Sequence, residues 1–540
     1  MKTHYIPLNK YDTVIEHFDG SISIPPHEKK RYLFIAQHFN DIYFLNNIDG
    51  CLYTYSLEYE NLTQINTHNT DIWKNKIGIT FYQDFILTFD AKTLNILWFE
   101  KNTLRLIHQT KLNININHLF VENDHLWVTE RESAKIIQYQ IEQTTLTLLN
   151  SFNYKGIGNT SLYIINDELY ITDSEENTIR CYYFDGSLKF EAITPFIDPI
   201  GQIYKNQQHF ILYGGLVNEV GYDNRCWQEQ KPFLHAIKIQ TTPHENYNIV
   251  STNAFEIDFI YEENFFENEL QHYSLPMTIQ LAIPPDTLHQ KVLKIVHLGL
   301  PFEIIEINQK KYAQYTIHHP FVKSIGFRAT LQLTSIKINP KNNNISLDTT
   351  NQLTPEEENE LDLNNPYFNQ FIIHDELDNI EKAKKLRNIL YSKLEYKKNI
   401  DARNFEEVLK DGYGTCGDYT ALMLIFYTLN HIACQSVGGY KVPRFYNATN
   451  SIMSIYYNHA WIEVFDNKNA VSLPIESSSD NKEYQHRFCE GQFLGIDWTH
   501  IKLYNGKAFP HLLNIPSHPN IHPFDLLKKA SVFAIIKKEL

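Results

Sequence analysis

The chain has 540 residues, of which 43 % are hydrophobic and 14 % aromatic; this excludes a disordered protein and exceeds what one hydrophobic core supports. A formal charge of −15, with no block of Lys or Arg, argues against nucleic acid or an anionic membrane as a partner. The first 18 residues (MKTHYIPLNKYDTVIEHF) lack the apolar core of a secretory signal and the longest clean apolar run, 421–427, is far shorter than a membrane span, so a cytoplasmic protein is expected.

The first 240 residues carry a repeat. Its anchors, each the start of a strand, are Asp41 (DIYFL), Asp84 (DFILT), Asp124 (DHLWV), Asp167 (DELYI) and His209 (HFILY), spaced 43, 40, 43 and 42 residues apart. A polar turn and a second strand follow each of the first four, at 51–55, 96–99, 136–139 and 179–183. Short strands at a fixed period with no helical pattern between them predict a β-propeller over residues 1–250. Five blades are visible, and six result if residues 1–32 pair with 236–260. Residues 169–180 (LYITDSEENTIR) resemble the NHL-type blade consensus, which implies a recognition module and a protein partner bound through it.

From residue 251 the alternation lengthens. Residues 327–334 (FRATLQLT) alternate apolar and polar side chains, and 281–285 and 292–299 add strands, which predicts an antiparallel β-sandwich over 251–340. Residues 341–366 are polar and read as a linker before a C-terminal domain at 367–540. There Ile380, Ala383, Leu386, Leu390 and Leu394 form one helical face ending near Tyr396. A short helix at 404–410 leads to Gly412 and Gly414, and a buried helix over 418–430 follows with Cys416 at its mouth. Strands at 435–441, 454–465 and 471–475 complete an α+β order.

Six cysteines (Cys51, Cys181, Cys226, Cys416, Cys434, Cys489) form no CxxC pair, and most read as buried reduced thiols, Cys434 among them. Cys416 differs in its surroundings. A thiolate is stabilised by a helix N-terminus and by an imidazole. Thr415-Cys416-Gly417-Asp418 supplies the first, and His459-Ala460-Trp461, 43 residues on in a predicted strand, supplies the second. The pattern is that of a cysteine–histidine catalytic core.

Taken together, the helix ending at Tyr396, the 405–409 segment (FEEVL), Gly414-Thr415-Cys416-Gly417-Asp418, the Gly438-Gly439-Tyr440 strand and His459-Ala460-Trp461-Ile462-Glu463-Val464 resemble the transglutaminase-like superfamily, a bacterial branch of papain-like cysteine enzymes. The resemblance spans residues 370–505. It implies that Cys416 is the nucleophile, that His459 is the base, and that an acidic residue on the next strand orients the imidazole. That strand, 470–476 (AVSLPIE), lacks the family's Trp and has Glu where Asp is usual. Glu476 is the preferred third member and Asp480 the fallback, whereas Asp466 reads as a turn former. The Cys416 N–H is the one oxyanion donor that can be named.

The stretch from Asp497 to His500 is assigned a structural role, and His431, His500, His518 and His522 rank below His459. Prolines between His518 and His522 spoil helical metal ligation, so no metal and no cofactor are expected. Lys537-Lys538-Glu539-Leu540 is only loosely like an ER-retention tail and is discounted. The resemblance implies amide-bond chemistry through a Cys thioester on a protein or peptide, either hydrolysis or transfer to an amine. The alternative is a catalytically degenerate, propeller-based binding scaffold.

Overall fold

The computed structural model describes residues 4–5, 15–16, 22–23 and 33–540, apart from 48, 57, 60, 131–132, 157–158, 174–175, 196–199, 207–208, 215–232, 309, 342–344, 350–352, 398–402, 443–451, 455–457, 467–470, 479–482, 485–486, 489, 507–511 and 529. The chain divides into two compact units, residues 1–239 with 484–490 and residues 240–483 with 491–540. Among the described residues, no helix is long and apolar enough to cross a membrane.

In the first unit, four segments (33–64, 76–111, 116–153 and 159–193) each form a four-stranded antiparallel sheet. A fifth sheet joins 200–206, 209–214 and 233–237 with 4–5. The anchors of the repeat lie at its tight hairpins, where Phe39, Gln83, Asn123 and Asp167 have φ of 55°, 50°, 54° and 62°, as two-residue turns between twisted strands require. Apolar clusters join residues of neighbouring sheets, as in the set of Trp73, Phe99, Leu45 and Ile86.

The expected NHL-like propeller is corrected here. Each of these sheets is separate and open, and no sheet of the described residues closes or curls on itself. A period of alternating strands specifies hairpin meanders, which are local; closure depends on long-range geometry that spacing does not encode. The recognition module, the protein partner expected through it, and the propeller-based scaffold alternative lose their support with it.

The second unit contains β1 (Tyr247–Asn264), β2 (Met277–Ala282), β3 (Gln290–Gly299), β4 (Glu303–Ile307), β5 (Lys310–Ile317) and β6 (Ser324–Pro340). Helices α1 (Asn379–Lys393), α2 (Phe405–Asp411) and α3 (Cys416–Leu429) follow. After them come β7 (Cys434–Lys441), β8 (Asn458–Asp466), β9 (Val471–Ile475), β10 (Gly495–Ile496), β11 (His500–Gly506), β12 (Leu513–Asn514) and β13 (Ser531–Glu539).

The predicted self-standing β-sandwich is also corrected. Strands β1 and β6 belong to one large sheet, ordered β13-β1-β6-β10-β9-β8-β7-β11, which carries the C-terminal strands as well. The link is β10, paired antiparallel with β6 and parallel with β9 through Ile475 and Gly495. A smaller sheet runs β4-β5-β2-β12. Alternation identified the strands, but β1, β2 and β6 also pair with β13, β12 and β10, each more than a hundred residues further along the sequence. The segment read as a linker, 341–366, includes a helix, Pro355–Glu360, with a complete Thr354/Glu357 capping box, and just past it a 3₁₀ turn, Pro366–Phe371, buries Phe368 and Phe371. Helix α1 stops at Lys393, and Tyr396 instead belongs to a two-residue strand.

Helix α3 is apolar on every side, and residues 419–427 are all buried, against α1 and strands β7 and β8. Its two tyrosines remain hydrogen-bonded in the interior: Tyr419 Oη donates to the Leu394 carbonyl at 2.7 Å and Tyr427 Oη to that of Ala383 at 2.9 Å. Strand β7 lies between β8 and β11, with its register to β11 shifting at Gly438/Gly439. A Cβ on Gly439 would lie 2.0 Å from the Ile501 carbonyl oxygen, a backbone atom with nowhere to go. Gly439→Ala is expected to lower the melting temperature of the protein by the equivalent of about 1–3 kcal/mol, read by thermal denaturation; an unchanged melt would refute this close contact.

Candidate active site

Cys416 is set by the turns before it. Gly412 ends α2 with φ of 74°, its N–H bonded to the Val408 carbonyl. The next residues pair in parallel with the end of α1: Glu395 N–H donates to the Gly412 carbonyl and Lys397 N–H to that of Gly414, both at 2.9 Å. Thr415 caps α3, and Asp418 completes the capping box by accepting from the Thr415 N–H at 2.7 Å. Cys416 is therefore the first residue of α3, half-buried, at the positive end of the helix.

His459 comes from β8, opposite Gly439 of β7, with the ring of Trp461 alongside at 6.0 Å between centroids. Its imidazole faces the Cys416 sulfur closely enough for each group to shift the titration of the other. Its Nε2 lies 2.8 Å from Oε2 of Glu476, the residue immediately after β9. Burial alone would raise the Cys416 pKa, but the hydrogen bond and charge of His459, with the Ala460 N–H, hold it below the ordinary thiol value. Burial would likewise lower His459; the Glu476 carboxylate and the Cys416 sulfur outweigh it and raise the imidazole to about 9. Despite complete burial, Glu476 stays well below the usual carboxylate range because His459 and His500 face it.

Glu476 has a second imidazole on the same oxygen: His500 Nε2 lies 2.6 Å from Oε2. The other nitrogen of His500 is 2.9 Å from Asp497 Oδ1. Oε1 accepts from the Ser478 N–H at 2.9 Å and its hydroxyl at 3.3 Å. Arg387 Nε and Tyr391 Oη of α1 donate to the Glu476 carbonyl at 3.4 and 3.2 Å. Close by, the buried Glu463 of β8 and Lys502 of β11 pair at 2.6 Å across β7, which keeps the Glu463 carboxyl low against the effect of burial.

Cys416, His459 and Glu476 thus meet, and Asp480 lies outside the described residues. Asp466 is the last residue of β8, buried and paired with Val471 of β9, and residues 467–470 between them lie outside the described residues. Cys434 is buried in β7, His431 is exposed past α3, and His518 Nδ1 bonds Ser517 Oγ at 2.8 Å; Cys226 and Cys489 lie outside the described residues. Sequence reasoning set aside Asp497 and His500, which the structure brings to Glu476. The signal available was an acid and a histidine three residues apart just before a strand, a pattern too common to single out.

Ligand atoms of His459, Glu476 and His500 all lie within 4.8 Å of one another, a spacing that can be tested against a metal. Tetrahedral zinc would hold such atoms about 3.4 Å apart. The observed 2.8 and 2.6 Å are hydrogen-bond separations, so as placed the donors point at the carboxylate rather than at a common centre.

Residues 367–473 match the family described as the transglutaminase-like superfamily. This segment of the chain is transglutaminase-like. The match includes Cys416 and His459 and stops three residues before Glu476. No curated protein matches the chain. Among solved structures, a Cytophaga hutchinsonii protein described as a candidate cysteine protease is similar at 12 % identity and TM-score 0.35, over 56 % of this chain and 93 % of its own. Myxococcus xanthus glutaminyl cyclase is similar at 10 % identity and TM-score 0.30, over 44 % of this chain and 95 % of its own. At such TM-scores neither carries an argument about this chain.

Alkylation consumes thiolate, so a lowered thiol pKa shifts its onset to lower pH. Iodoacetamide labelling of Cys416 in the transglutaminase-like segment is expected to reach half its maximal rate below the free-thiol range of about 8.5. His459→Ala is expected to return it to that range; identical profiles for the two proteins would refute the coupling.

Proposed function

We propose that the second unit performs cysteine-dependent chemistry on an amide bond of a protein or peptide. Membership of residues 367–473 in the transglutaminase-like superfamily supports the general chemistry. The observation that carries the reading is the contact of His459 with both Cys416 and the buried Glu476 carboxylate, at the N-terminus of α3.

In this reading the Cys416 thiolate attacks the amide carbonyl carbon, forming a C–S bond while the carbonyl oxygen takes the negative charge. The Cys416 N–H, free at the first position of a helix, is the donor proposed for that oxygen. Collapse of the tetrahedral adduct breaks the C–N bond, and the His459 imidazolium gives its proton to the departing nitrogen. Glu476 holds the ring and balances its charge without taking the proton. The thioester is then resolved by water, with His459 removing a proton, or by an amine that forms a new amide. Hydrolysis or general acyl transfer is the reading we favour, with Glu476 filling the position that the family usually gives to Asp.

Intact mass of a glutamine-containing acceptor protein, incubated with a primary amine and either wild type or Cys416→Ala, tests this. Cys416-dependent amine addition establishes transfer, while cleavage or conversion of amide to acid establishes hydrolysis. No Cys416-dependent change across several acceptors overturns the proposal. The pH profile provides a second check. The imidazolium is the proton donor and is lost as pH rises through about 9, so turnover is expected to fall there although alkylation of the thiolate does not.

A further inference from the structure

Two imidazoles converge on one oxygen of a carboxylate that has no access to water. His459 is the one used above; His500 is wholly buried and takes no part in that chemistry. Its surroundings fix the ring on every side. Nδ1 is backed by Asp497, and Asp497 is itself held by the Thr499 N–H at 2.9 Å, the Thr499 hydroxyl, and Gln492 Nε2 at 2.9 Å. Gln492 also accepts the Glu476 N–H on its carbonyl at 3.1 Å, so one residue ties the glutamate and the aspartate together. The rings of Trp461 and His500 meet at 81° with centroids 5.3 Å apart. His289 Nε2 lies 3.2 Å from the His500 carbonyl oxygen.

We propose that His500 is a positioning residue for Glu476: its Nε2–H, anchored through Asp497, holds Oε2 where that oxygen orients the His459 imidazole. The inference rests on the catalytic reading above. Glutamate has one more rotatable bond than aspartate, and that freedom must be removed for a defined bond to His459. Ser478 restrains Oε1, leaving Oε2, the oxygen His459 uses, to be fixed by His500. Both nitrogens of His500 face carboxylate oxygens, so the ring is held at both ends.

Several other titratable and charged groups face the pair. Cys416 of α3 and His459 of β8 lie on the reacting side, and Arg387 and Tyr391 of α1 bind the Glu476 carbonyl. Asp497 and His289 adjoin His500, Lys441 acts on Asp497, and Glu463 and Lys502 act on His289.

The test is the pH profile of Cys416 alkylation in the full chain, with melting curves as the control for folding. His500→Ala is expected to shift the onset upward toward the free-thiol range and to slow labelling at pH 7 by about tenfold, while the final labelled fraction stays complete. His500→Gln, which keeps an N–H donor, is expected to recover most of the rate. A folded His500→Ala protein with the wild-type profile, or a Gln variant no better than Ala, overturns the inference. Should the Ala variant fail to fold, Asp497→Asn is read instead: a shift in the same direction supports the inference and an unchanged profile overturns it. A wild-type Cys416 that reacts as an ordinary thiol would instead mean that the catalytic reading fails, which separates the two outcomes.

Discussion

A carboxylate cut off from water must find its hydrogen-bond donors inside the protein, and the region around Cys416 is arranged about one that does. Glu476 uses both oxygens and its carbonyl: two imidazoles on Oε2, the Ser478 backbone and hydroxyl on Oε1, and an arginine and a tyrosine of α1 on the carbonyl. An unpaired buried charge costs several kcal/mol, so the donors to the two carboxylate oxygens are held in place by the same requirement. The raised pKa of His459 and the lowered one of Cys416 follow from it, because the negative charge of Glu476 supports an imidazolium next to the sulfur.

Four segments distant in sequence supply the cluster: the start of α3, the start of β8, the residue after β9, and the start of β11. Sheet order brings them together. Strand β9 lies beside β8, which places Glu476 next to the strand of His459, and the parallel pairing of Ile475 with Gly495 brings the 495–500 segment alongside. Strand β7, thinned by Gly439, lets β11 approach from the other side, so His500 lies opposite Lys441 while His459 lies opposite Gly439. Helix α3 packs against these strands through a mainly apolar surface, with the Thr420 hydroxyl 2.8 Å from that of Ser477, and its capping box fixes the depth at which Cys416 emerges.

Much of this was legible residue by residue. Glycines before a cysteine and an apolar run after it identify α3, because the physics of helix capping and burial is local. The β8 and β9 strands were legible through β-branched and aromatic alternation, and so was the place of an acid after β9. Other features were not. The polar neighbours of Asp466 gave no sign that β8 reaches it and buries it at the end of the strand. The polarity of 341–366 concealed the capped helix at Pro355–Glu360, because a short exposed helix carries no apolar face to mark it. The regular spacing of the first 240 residues identified hairpins correctly but not what the sheets do collectively.

The sequence by itself determined the local elements of this protein: hairpin turns at a near-constant period, a capped helix headed by Cys416, and strands carrying His459 and ending at Glu476. These depend on backbone preference and on apolar patterning over a few residues, both of which are written in consecutive letters. Only the tertiary structure decided that the 251–340 strands share a sheet with the C-terminal ones, that the N-terminal sheets are separate and open, and that His500 and Asp497 stand behind Glu476. Strand partners and buried polar contacts are chosen by long-range packing and by the need to compensate charge away from water, and neither leaves a mark at fixed spacing along the chain.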